Sequence, residues 1–229
     1  MKTTCIALTA LVSSTGLAIA GGYTTYTDRN VFEANTGALT IETFESESLG
    51  DLALPTVLDS GLGVAMPVSG VSSYIGAGNP DSYGFENTTP IGRNYLAFGR
   101  NVMVPGAPDM PQTGSYSVEY TFGGSINAFG FDLSGAEFGS AADGFNVTTF
   151  SNGQIADDFF FPSDQLISVR FYGLVSDQSF DAIRINMPVL GTNGTADYVA
   201  FDDVTWGVPS PSALPMLALG GLVASRRKR

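Results

Sequence analysis

The chain has 229 residues, 44% of them hydrophobic and 14% charged, with a formal charge of -12. It holds no histidine and one cysteine, Cys5, which excludes a Ser-His-Asp triad and a His- or Cys-built zinc site in the body. Half of the cations sit at the two ends, so the body sets five arginines and no lysine against all 22 carboxylates, a balance that repels nucleic acid and rules out a Ser-Lys dyad.

In chain order, residues 1–20 carry the features of an export signal. Lys2 is followed by an apolar or small run from Cys5 to Leu17 and then Ala18-Ile19-Ala20, which sets the expected cleavage before Gly21. The body then spans residues 21–207. Asp28 is placed to cap a short helix over "DRNVFEANTG", with Val31 and Phe32 facing inward and Gly37 ending it. No other helical period appears. Strands are predicted at Thr40–Ser46, Ser115–Gly124, Ile126–Gly135, Gly144–Gly153, Leu166–Ser176, Phe180–Val189 and Asp197–Gly207, each short, β-branched or aromatic and bounded by turn residues. Alternation puts Val118 and Tyr120 on one face, with Glu119 and Thr121 on the other. In "LISVRFYG" it groups Ile167, Val169 and Phe171. The expected fold is all-β, an antiparallel β-sandwich of jelly-roll type with one short helix.

Between Leu49 and Pro111 the pattern gives way to turn residues. Its aromatic residues Tyr74, Tyr83, Phe85 and Tyr95 are the candidate platforms for a sugar ligand. Trp206 adjoins the tail and reads as a packing residue. The adjacent carboxylates Asp157 and Asp158 are a poor hydrolytic pair, because neighbours on a strand point to opposite faces.

Residues 208–229 form the tail. Pro209 and Pro211 block continuation of a strand. Ser212 to Ala224 is uncharged, and Arg226, Arg227, Lys228 and Arg229 close the chain. As a helix the apolar run extends about 20 Å, short of a hydrocarbon core of about 30 Å, and the cations hold its end on the cytoplasmic side. A proline motif, a short apolar helix and a basic cluster in this order resemble the bacterial PEP-CTERM sorting signal. That resemblance covers about 22 residues. It implies export, transient anchoring in the membrane by the C-terminus, processing by an exosortase-like enzyme and association with exopolysaccharide or the cell surface. The family motif has Glu between the prolines, where this chain has Ser210.

The segments "ETFE" and "YVAFDDVTW" are similar to the first and last strands of jelly-roll carbohydrate-binding modules. The resemblance implies that the two strands are adjacent and that acidic residues there hold a structural Ca²⁺. The matching positions are Phe44-Glu45 and Phe201-Asp202-Asp203-Val204, and the candidate Ca²⁺ ligands are Glu42 or Glu45 with Asp202 or Asp203. The apolar phase carried by Val199 and Phe201 slips to Val204 and Trp206 across Asp202-Asp203, which predicts a β-bulge. Carboxylates at a bulge are either solvated edge residues or ligands of a hard cation. The sequence therefore reads as a non-catalytic, exported surface or matrix protein associated with polysaccharide. A structural or adhesive protein without a sugar ligand and an extracellular glycan hydrolase are the alternatives.

Overall fold

A computed structural model describes residues 22–67, 72–77, 88, 92–99, 115–134, 144–162, 169–188 and 199–209. The order is β1 (Tyr23–Tyr26), α1 (Arg29–Thr36), β2 (Thr40–Glu42), β3 (Gly50–Asp51), β4 (Thr56–Val57), β5 (Gly63–Ala65), β6 (Ser72–Ala77), β7 (Asn94–Gly99), β8 (Ser115–Ser134), β9 (Gly144–Ser151), β10 (Gln154–Pro162), β11 (Val169–Pro188) and β12 (Val199–Gly207). All strand pairings are antiparallel.

The two longest strands, β8 and β11, have 20 residues each and run through both layers of a sandwich. Two pairs of predicted short strands are thus each one long strand, because the polar stretches at Gly123-Gly124-Ser125 and Ser176–Ser179 bend the ribbon without ending it. The ladder between them shifts register there, between Val175 and Ala182. The second half of β8 pairs with the first half of β11 and with β12, followed by β7, β6 and β3. This is the front sheet, and β1 and β2 join it on β11 and β12. The first half of β8 and the second half of β11 continue into β9 and β10 on one side and β5 and β4 on the other, forming the back sheet.

The inner faces meet in one aromatic core. Phe131, Phe201 and Tyr172 of the front sheet pack against Phe145 and Tyr120 of the back sheet, with centroids 6.0 Å apart for Phe131–Phe145, 4.8 Å for Phe145–Tyr172 and 5.9 Å for Tyr120–Phe201. Trp206 is a buried packing residue beside Phe122.

The outer face of the front sheet is covered. Asp28 caps α1 as the sequence predicts, accepting from Val31 N, and Gly37 ends the helix at φ 77°. Phe32 is buried against Phe171, but Val31 is exposed, and Thr36, one turn on from Phe32, takes the inward place. Phe171 faces this helix instead of the main core, which takes Tyr172 and Leu174. Both phases of the first half of β11 are therefore buried. Glycine makes that possible: a Cβ on Gly173 would lie 2.8 Å from atoms of both Phe171 and Phe32.

β2 stops at Glu42, short of the predicted Ser46, because Phe44 adopts φ 59° and starts a turn closed by Glu47 N donating to Phe44 O. Among the described residues no helix is long and apolar enough to cross a membrane. The signal and sorting segments lie outside the described residues, apart from Val208 and Pro209.

Candidate functional site

The first cluster is built on the predicted bulge. Asp202 pairs with Asp132 and Thr205 with Gly130, so β12 has one residue too many, and Asp203 takes φ 46°. The extra residue keeps Val199, Phe201, Val204 and Trp206 all in the core despite the change of phase. It also turns the Asp203 carbonyl toward α1, where Arg29 NH2 donates to it at 2.9 Å and to Asp132 Oδ2 at 2.9 Å. The same guanidinium lies 4.6 Å above the Phe171 ring.

Thr88 closes the cluster from the turn-rich stretch. Its backbone N–H donates to Asp202 Oδ2 at 2.6 Å, and its hydroxyl is 2.9 Å from that atom and 3.1 Å from Asp203 Oδ2. Asp202 Oδ1 accepts from Asp203 N at 2.8 Å. Burial, reinforced by the charge of Asp203 and opposed by the Thr88 bonds, pushes the Asp202 carboxyl up to about 7. Burial also raises Asp132, against the pull of Arg29.

The other two expected ligands are engaged separately. Glu42 faces Val204 across the β2–β12 ladder. Its Oε1 accepts from Phe44 N at 2.6 Å, and its Oε2 is buried with no hydrogen-bond partner among the described residues. Glu45 Oε1 accepts from Arg93 N at 2.6 Å and Asn94 N at 2.7 Å, tying the Phe44–Glu47 turn to the start of β7. Among the described residues no group of three or more His, Cys, Asp or Glu side chains could hold a metal ion. The bulge thus brings Asp202 and Asp203 together at Thr88, while Glu42 and Glu45 are each bonded elsewhere.

Of the expected aromatic platforms, Tyr74 and Tyr95 are 7% and 1% exposed and pack with Ala97 and Ala200. Buried rings of this kind are packing, so neither offers a face for stacking. The strand phase explains it, since β6 and β7 turn these rings onto the covered outer side of the front sheet. Tyr83 and Phe85 lie outside the described residues, as do Ser210, Pro211, Arg226, Arg227, Lys228 and Arg229.

A second surface was not foreseen. The outer face of the back sheet is covered by no described element, and three rows of side chains cross its strands. In the first, register aligns Phe160, Asn146, Asn186 and Ser117 across β10, β9, β11 and β8. The next holds Asp158, Thr148, Arg184 and Glu119. The third holds Phe150, Ala182 and Thr121. Phe160 is 49% exposed. A Cβ on Gly144 would come within 2.7 Å of its ring, so glycine leaves the space in which this ring lies over β9.

The polar groups on this face are fixed by one another. Ser117 Oγ donates to Asn186 Oδ1 at 2.6 Å, leaving the amide NH2 of Asn186 as a donor. Arg184 donates to Glu119 Oε2 through Nε at 3.0 Å and NH2 at 2.6 Å, and lies 4.9 Å over the Phe150 ring. Thr148 Oγ1 donates to Asp158 Oδ1 at 3.2 Å. Aromatic ring, amides, hydroxyls and carboxylates on a preorganised sheet can stack on and hydrogen-bond a polyhydroxylated chain. The sequence does contain a signal for this face. "DFFFP" puts three phenylalanines in succession on a strand, and alternation must send the middle one outward. Asp157 and Asp158 are linked by Asp158 N donating to Asp157 Oδ1 at 2.9 Å.

No protein-family model and no curated protein sequence matches the chain. Solved structures resemble it to different degrees. The K2 cleaved adhesin domain of Lys-gingipain is 12% identical, with a TM-score of 0.50 over 74% of this chain and 99% of that one. A low-affinity xylan-binding module from Roseburia intestinalis is 11% identical, with a TM-score of 0.31 over 84% and 99%. A GH87 alpha-1,3-glucanase catalytic domain is 15% identical, with a TM-score of 0.35 over 77% of this chain and 30% of that one. At these identities the likeness to the adhesin domain establishes the sandwich fold and leaves the ligand to be argued from the side chains.

Proposed function

We propose that the chain is an exported, non-catalytic β-sandwich that binds polysaccharide at the cell surface or in the extracellular matrix. The observation that carries this reading is the outer face of the back sheet, covered by no described element, where the exposed Phe160 lies beside Asn146, Asn186 and Asp158. The opposite face of the sandwich is closed by α1 and by the Tyr74–Tyr95 cluster, which directs a ligand to the back. Full-length protein run through native gels containing soluble polysaccharides tests it. Retardation by at least one polysaccharide is expected, and unchanged migration in all of them contradicts it and leaves the structural or adhesive alternative.

Export is proposed from the two ends of the sequence. The 1–20 leader starts it, and the Pro209-Ser210-Pro211 motif with its apolar run and Arg226–Arg229 cluster holds the chain in the membrane for an exosortase-like enzyme. Intact-mass measurement of envelope-derived protein tests both steps. The expected species begins at Gly21 and lacks the basic end, whereas an intact 1–229 mass contradicts the proposal.

Calcium enters on one observation, the buried Glu42 Oε2, which has no hydrogen-bond partner among the described residues. An oxygen of that kind suits a hard cation, which would strengthen the β2–β12 junction. Asp202 and Asp203 are held by Thr88 in the described chain and supply no ready-made ligand set.

A further inference from the structure

We infer that the ligand of the back face is an uncharged polysaccharide, laid across the strands along the row of Phe160, Asn146 and Asn186. This rests on the polysaccharide-binding reading above and narrows its chemical class. The charge on the face decides the point. Arg184, its one cation among the described residues, makes two hydrogen bonds to a single oxygen of Glu119 and stacks on Phe150, so it is neutralised where it stands. Asp158 is then the charge without a counter-ion on this face among the described residues, and its Oδ1 accepts from Thr148. Around the face, the body sets five arginines against 22 carboxylates. A uronate or sulfate chain would meet net repulsion and no available guanidinium. Hydroxyl groups suffer neither penalty. Asn186 and Asn146 donate to them and Asp158 accepts from them, while Phe160 covers the apolar face of a ring.

The direction follows from register. Phe160, Asn146 and Asn186 sit opposite one another on three adjacent strands, a path of about 10 Å at the usual strand spacing, and the buried Ser117 at the end of the row holds the Asn186 amide oxygen. Along any single strand the outward groups change character at each step. On β9, for example, Asn146 gives way to Thr148 and then Phe150. The row across the strands instead begins on a ring and continues through two amides.

The test is affinity electrophoresis of the full chain in two panels, uncharged xylan, galactomannan and β-glucan against polygalacturonate, alginate and dextran sulfate. The expected result is retardation by at least one uncharged polymer and by none of the acidic ones. Apparent affinity should change less than about twofold between about 20 and about 300 mM NaCl, as for a contact without ion pairing. Phe160→Ala and Asn186→Ala should each weaken retardation about tenfold, the loss of roughly one good contact. Ile41→Ala, on an exposed position of the front sheet, should leave it unchanged. Thermal midpoints of all variants identify any that fail to fold, and the exposed Phe160 keeps the test independent of core packing. Binding of an acidic polymer as well as an uncharged one, or steep loss with salt, overturns the inference and leaves polysaccharide binding standing. A loss at Phe160 with none at a folded Asn186→Ala overturns the crosswise path. No retardation by any polymer removes both the inference and the reading beneath it.

Discussion

Arg29 on α1 and Asp132 on β8 meet at 2.9 Å across 103 positions of sequence. The pair joins the N-terminal helix to the front sheet at the bulge, since Arg29 also holds the Asp203 carbonyl. Arg29→Met keeps the stem over Phe171 and removes the charge. It leaves Asp132, Asp202 and Asp203 without their cation, at an expected cost of about 2–3 kcal/mol. Chemical denaturation measures this. A change within about 0.5 kcal/mol, the range of ordinary surface substitutions, would contradict the clamp.

The same cluster sets a pH dependence. Asp202 is raised to about 7 in the folded chain, so the native state binds more protons than the unfolded state at intermediate pH. Its contribution is fully present below the unfolded value and is lost as pH rises toward about 7, by at most about 1.4 kcal/mol per pH unit. Asp132 is shifted in the same direction. Melting in chelator should therefore give a higher midpoint at pH 5 than at pH 8, and Asp202→Asn should flatten the profile. A midpoint that rises between those pH values would show the sign to be wrong.

The glycine under α1 makes a steric prediction. Gly173→Ala places a methyl 2.8 Å from both Phe171 and Phe32, and the helix must lift or the rings must turn. Overpacking of this kind costs about 1–3 kcal/mol. Equilibrium unfolding reads it, and a neutral result would mean that α1 docks loosely.

Calcium has a direct readout in stability. If Glu42 Oε2 ligates the ion, added Ca²⁺ raises the melting midpoint over that in chelator, and Glu42→Gln abolishes the difference. Equal midpoints for the wild-type chain in the two conditions would end the calcium proposal.

Local signals in the sequence located much of this. The Asp28 cap, the Gly37 stop and the slip at Asp202-Asp203 each arise within a few residues, and each matches the structure. Long-range features were less legible. Gly123-Gly124-Ser125 reads as a break between strands, and only pairing with β11 shows one ribbon bending between layers. Phe171 reads as main core, yet the covering helix buries its face as well. Tyr74 and Tyr95 look like loop aromatics, and β6 and β7 place them in a buried cluster on the outer side of the front sheet. Asp132 gave no sign of joining Asp202, because register alone places them side by side. The back face needed that same register information, although the Phe159-Phe160-Phe161 triplet marked one end of it.

The most direct measurement is amide chemical-shift mapping on the isotopically labelled full chain, titrated with an uncharged oligosaccharide that retards it in gels. The account predicts saturable shifts concentrated at Asn146, Phe160 and Asn186, with α1 and the Asp202–Asp203 bulge unmoved. Shifts centred on the front sheet, or none that saturate, would contradict it.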